Sequence, residues 1–176
     1  MNMDNNTIWN EAAKAGLVFG GFSSICLALK QLAGMSGSNV LTIIASAVLW
    51  ALEFFGCIYL MRHYLVMVKD RFSADVADCK SFGKRTAMLS GLILAAVATY
   101  FILKMPSDAL NEMISAATAN LGSTEKAEMA KAMDSFPVVF FLIQWLYCFI
   151  YGTILSSILT RYVFVEDIFK DGEKNL

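Results

Sequence analysis

The chain has 176 residues, of which 57% are hydrophobic and 16% charged, with a net charge of −1 and a mean hydropathy of +0.58; soluble domains average about 45–50% apolar and about 25% charged. So balanced a charge excludes a nucleic-acid binder or a protein held to anionic surfaces by electrostatics. The length allows one domain, 1–176, and the apolar excess is gathered into four runs at 13–34, 40–61, 86–105 and 138–160. Each matches the roughly 20 residues needed to cross a hydrocarbon core of about 30 Å, which predicts an all-α, polytopic membrane protein with four transmembrane helices.

Residues 1–12 form a polar entry with Trp9 at the expected interface. They lack a basic n-region and no small-residue cleavage site follows, so the first run reads as an uncleaved helix. That run carries small residues four apart: Ala12, Gly16, Gly20, Ser24 and Ala28. A short Gly/Ser turn, 33–39, then makes the first two helices antiparallel neighbours. Arg62 and His63 mark where the second helix leaves the membrane, and the linker 62–85 is polar and part helical. The third helix repeats the small-residue device at Ala87, Gly91, Ala95 and Thr99. Such rows let helix backbones approach in lipid, where apolar burial supplies no drive. The first and third helices are therefore expected to pack through them. The two rows lie 75 residues apart, but the second and fourth helices do not support an internal repeat.

Pro106 stops the third helix. Between it and Pro137, Leu110, Met113, Ile114, Ala117 and Leu121 recur at helical spacing, and Ser123, Glu125 and Glu128 suit a second helix start. An extracytoplasmic helical hairpin with one apolar side is thus predicted at 107–136. The fourth run is rich in aromatics, including Phe140, Trp145, Tyr147 and Tyr151, which read as packing residues.

Lys and Arg are distributed unevenly. Lys14, the linker 62–85 and the C-terminal flank hold ten, against four at Lys30, Lys104, Lys126 and Lys131. The positive-inside rule then places both termini and the middle linker in the cytoplasm. Cys26, Cys57, Cys79 and Cys148 face no oxidising compartment on this topology and show no metal-ligand spacing, so they read as small apolar residues without a disulfide.

Glu53 breaks the pattern of the second run. It lies about 13 Å from Arg62 along the helix, near mid-bilayer, where a carboxylate costs a few kcal/mol and must face the bundle interior. Lys14 and Lys30 sit near opposite surfaces by the same rise per residue, so no cation is expected at its depth. Tyr151 and Ser23 or Ser24 lie close to its level and can hydrogen-bond, and Gln144 lies about 10 Å nearer the outer surface. Two readings stand: a neutral Glu53 gluing helices through Tyr151 and Ser24, or a proton or cation site. No phosphate loop, catalytic triad or metal constellation accompanies it, and His63, at the interface, is the only histidine.

The order of several short signatures resembles the bacterial membrane-protein family catalogued as domain-of-unknown-function family 4199. These are Trp9 before Glu11-Ala12-Ala13-Lys14-Ala15-Gly16, the exit Arg62-His63-Tyr64, Ser81-Phe82-Gly83 before the third helix, and Phe136-Pro137 before the last. The match spans about 8–165 and departs at Lys84, where a Gln is expected. The resemblance implies four helices in the bacterial inner membrane and no established activity. The resulting expectation is a non-enzymatic, cofactor-free protein that works by helix packing or partner binding, a scaffold or accessory. Its partners would be the bilayer and a membrane-protein partner or second copy, with the outer hairpin as contact surface. The alternative is a small proton- or cation-coupled transporter using Glu53.

Overall fold

The computed structural model describes residues 3–34, 39–105 and 135–173. They form four helices: α1 (Asn5–Gly34), α2 (Asn39–Phe72), α3 (Val76–Leu103) and α4 (Phe136–Glu173). All four are long and apolar enough to cross a membrane. The outer hairpin expected over 107–136 lies outside the described residues up to position 134.

Each helix outruns its apolar segment. The linker expected over 62–85 is helical apart from a tight turn, because α2 continues to Phe72 and α3 starts at Val76. Ser73 ends α2 in the left-handed region with φ 50°, and the Ala74 N–H returns 3.2 Å to the Lys69 carbonyl. This closure satisfies a helix-end carbonyl at a position usually given to glycine. Asp75 then caps α3, its carboxylate accepting from the Asp78 N–H at 2.8 Å.

The end of the bundle holding this turn is called lower, and the end of the α1–α2 connection upper. Met3 N–H donates to Asp78 at 2.9 Å, and Arg85 donates to the Asn5 carbonyl at 3.1 Å while lying over the Trp9 ring. The starts of α1 and α3 thus share the lower end, and the two helices run parallel. The tight core is also low. Ala12, Ala15 and Phe19 of α1 pack there with Met61, Leu65 and Val68 of α2 and Phe82 of α3.

Helix α3 is central and packs most extensively against α4 and α1. The small row of α1 does rest on α3: a methyl added at Gly16 would come within 2.9 Å of Leu89 Cβ, and one at Gly20 within 2.8 Å of Ile93 Cβ. The row of α3, however, does not face α1, which corrects the expected row-to-row packing. Gly83 receives Ser156, Ala87 meets Gly152 and Gly91 meets Cys148, so successive contacts step four residues up α3 and four down α4. The face that α3 gives α1 is the neighbouring one, through Thr86, Leu89, Ser90 and Ile93. One helix can serve two partners this way because adjacent residues lie about 100° apart around its axis. Ala12, Ala87 and Ala95 are buried, as are Gly16, Gly20 and Gly91.

Helix α2 stands apart. It meets α4 at the lower end, where Arg62 lies 6.0 Å from the Tyr162 ring centre and Lys69 lies 4.7 Å from that of Phe164. Above this, Trp50 and Tyr147 are 62% and 66% exposed.

Gly20 and Gly21 provide a matched test, since a side chain at Gly21 meets nothing within 4 Å. Gly20→Leu is expected to lower unfolding stability by about 1–3 kcal/mol, the cost of overpacking. Gly21→Leu should leave it unchanged. Chemical or thermal unfolding in detergent reads both.

Candidate functional site

Between the four helices lies a cavity of about 440 Å³. Its floor is the top of the lower core, with Phe19 and Met61 belonging to both. Its walls are small-residue faces of α3 on one side and aromatic side chains of α2 and α4 on the other. The seam between α2 and α4 is its open side, because wall residues Trp50 and Tyr147 are exposed there.

Glu53 enters this cavity from α2, and Lys30 of α1 meets it. Lys30 Nζ lies 2.6 Å from Glu53 Oε2, and the two side chains are 24% and 23% exposed. This overturns the expectation that no cation shares the carboxylate's depth. The reasons are side-chain direction and helix register. Every Cα–Cβ bond in a helix tilts toward the helix N-terminus. In an antiparallel pair, Lys30 therefore leans down from the upper part of α1, while Glu53 leans up from the middle of α2. Depths counted from the helix ends set the two residues too far apart: the Ser23–Cys57 contact fixes a register in which Lys30 and Glu53 differ by only about 5 Å in depth, and the four-carbon reach of the lysine brings its ammonium to the carboxylate in a charge-assisted hydrogen bond.

Tyr151 lines the same cavity, but no hydrogen bond joins it to Glu53 among the described residues. Ser24 lies off the cavity and its buried hydroxyl has no hydrogen-bond partner among the described residues. Ser23, one residue and about 100° away, is the α1 serine in the cavity wall, and its hydroxyl lies 3.9 Å from Cys57 Sγ. Glu53 glued by Tyr151 and Ser24 is therefore replaced by Glu53 held by Lys30. Gln144 also reaches the wall, donating to Cys148 Sγ at 3.5 Å. All four cysteines are free thiols, and no cluster of metal-ligating side chains occurs among the described residues.

Among the described residues Lys30 and Glu53 are the charged members of the cavity wall, and they cancel. Beside them stand neutral donors and acceptors at Ser23, Ser90, Gln144, Tyr147 and Tyr151, with Trp50, Phe54 and Phe140 as aromatic wall. A second ion pair, Glu11 with Lys14 at 2.7 Å, sits on α1 far below it. Comparison with protein-family models, curated proteins and solved structures finds no match to this chain, so the site is read from its geometry.

Removing one partner strands the other charge in an apolar wall. Glu53→Leu and Lys30→Met should each lower stability by about 3 kcal/mol, the low end for a broken buried pair because each side chain keeps some exposure. Unfolding of each single variant against wild type checks this; a loss near zero would mean that the pair is solvated like a surface bridge.

Proposed function

We propose that this protein is a small multi-pass membrane transporter, coupled to a proton or cation, with the four-helix cavity as its substrate chamber and Glu53 as the coupling carboxylate. The observation that carries the reading is the Lys30–Glu53 pair opening onto a chamber of about 440 Å³. Helix glue needs no chamber, and a four-helix scaffold in lipid gains nothing from a charged pair beside empty space. Volumes of about 300–1,000 Å³ with few polar groups on an apolar wall are typical of small-molecule sites.

The residues divide the work. Glu53 can hold the Lys30 ammonium, a proton or an incoming cation, and each excludes the others from the same oxygens. Taking up a proton or cation at Glu53 frees Lys30, and a substrate group that engages Glu53 displaces that ion. Substrate arrival and ion arrival are thereby linked through one carboxylate. The lower core closes one end of the chamber, and the upper half of α2, tied to α1 through the Lys30–Glu53 pair, is the element whose position that pair controls. No covalent step or cofactor is assigned.

The same proposal carries a bacterial inner-membrane location with both termini and the α2–α3 turn in the cytoplasm, as the family resemblance implies. Its support is charge. Arg62, Lys69, Arg71, Lys80, Lys84 and Arg85 cluster at the lower end, whereas Lys30 at the upper end is neutralised by Glu53. The scaffold reading rests on the 107–136 hairpin, which lies outside the described residues save its last two positions.

In proteoliposomes loaded with a pH-sensitive dye and driven by a potassium–valinomycin potential, or supplied with labelled sodium, the wild-type protein should carry protons or sodium. Glu53→Gln, matched for reconstitution, should not. Equal flux in the two proteins, or wild-type flux no greater than empty vesicles, contradicts the proposal.

A further inference from the structure

We infer that the substrate of this chamber is a small zwitterion with an apolar or aromatic body, of the hydrophobic α-amino acid type. This rests on the reading of the cavity as a substrate chamber and adds the class of molecule that fills it.

Charge balance selects the class. Among the described residues the wall carries one cation and one anion, 2.6 Å apart and both open to the cavity. In a low-dielectric surround, a ligand with net charge would leave one charge uncompensated, at a cost of several kcal/mol. A zwitterion avoids this. Its carboxylate takes Lys30 and its ammonium takes Glu53, so one ion pair becomes two and the chamber stays neutral. A wholly uncharged ligand leaves the pair closed on itself and gains nothing from it.

Neighbouring polar groups support it. Neutral groups at Gln144, Ser23 and Ser90 stand in the same wall and can complete the hydrogen bonds of a separated carboxylate and ammonium. Trp50, Phe54 and Phe140, with the rings of Tyr147 and Tyr151, give faces for an aromatic side chain and for cation–π contact with the ammonium. Ala87, Gly91 and Ala98 on α3 give the opposite side a smooth surface. Such a wall rewards an apolar body and offers a sugar or a polyphosphate too few partners.

Calorimetric titration of the full-length protein in nanodiscs tests the class with three probes that share one ring system. L-Tryptophan carries both charges, tryptamine only the ammonium, and indole-3-propionate only the carboxylate. L-Tryptophan should bind saturably, and each single-charge probe should bind about tenfold or more weakly, the loss of one charge-assisted bond. Tyr147→Ala removes an exposed wall residue without disturbing the bundle, and should weaken L-tryptophan about threefold to tenfold by loss of an aromatic contact. No saturable L-tryptophan binding, or either single-charge probe binding as tightly, overturns the inference. The ion-flux result is separate. Zwitterion selectivity without flux keeps the ligand class and removes the coupling, whereas flux without zwitterion preference keeps the coupling and removes the ligand class.

Discussion

Close backbone approach at small side chains holds α1, α3 and α4 together, and the chamber lies where α2 stands off from α3 and α4. In lipid, apolar side chains gain little by leaving the solvent, so helices associate where their backbones can come near and dispersion contacts multiply. Helix α3 has two such faces. One takes Gly16 and Gly20 of α1, and the other seats Cys148, Gly152 and Ser156 of α4 against Gly91, Ala87 and Gly83. Helix α2 shows one close approach, Gly56 under the Phe22 ring of α1. It is secured instead by the lower core, and higher up by polar ties: the Lys30–Glu53 pair and the Thr42 hydroxyl donating to the Ala33 carbonyl at 3.0 Å. A helix attached this way stands off from α3 and α4, and the space it leaves is the cavity.

The ion pair therefore has two roles in the same place. It ties α2 to α1, and it is the charged feature of an otherwise apolar chamber. A pair buried in a packed interior often contributes less than apolar residues of the same volume, because desolvation offsets the attraction. Packing alone gives no reason to keep Lys30 and Glu53. A ligand-dependent role does, because opening the pair exposes two complementary charges only when something arrives to meet them.

Much of the scaffold was legible in the sequence. Apolar runs of bilayer length gave the four helices, and the Gly16–Gly20 spacing marked the face of α1 that meets α3. Glu53 stood out as a carboxylate that a membrane helix cannot carry idly. Other features were hidden for physical reasons. The row at Cys148, Gly152, Ser156 and Thr160 was masked by the bulkier aromatics between its members, so α4 read as aromatic when its interface is small. The partner of the Ala87–Gly91 row was misassigned because a repeat of four says that a helix packs closely, and not against which neighbour. Lys30 was missed because depth was counted from the helix ends, while the α1–α2 register at Ser23–Cys57 and opposite side-chain tilts bring the two charges together. The signal was present: a lysine above and a glutamate below, on adjacent antiparallel helices, lean toward each other. The cavity itself leaves no local trace, since it depends on how far α2 stands from α4.

The most direct test replaces both charges at once. Lys30→Met with Glu53→Leu removes the pair without stranding either charge, so the bundle should stay as stable as wild type or become more so. If Lys30 and Glu53 form a site, the doubly substituted protein will unfold normally in detergent yet lose zwitterion binding and ion flux in the same preparation. Full binding and flux in that stable protein would show that the pair is helix glue, and would contradict the account.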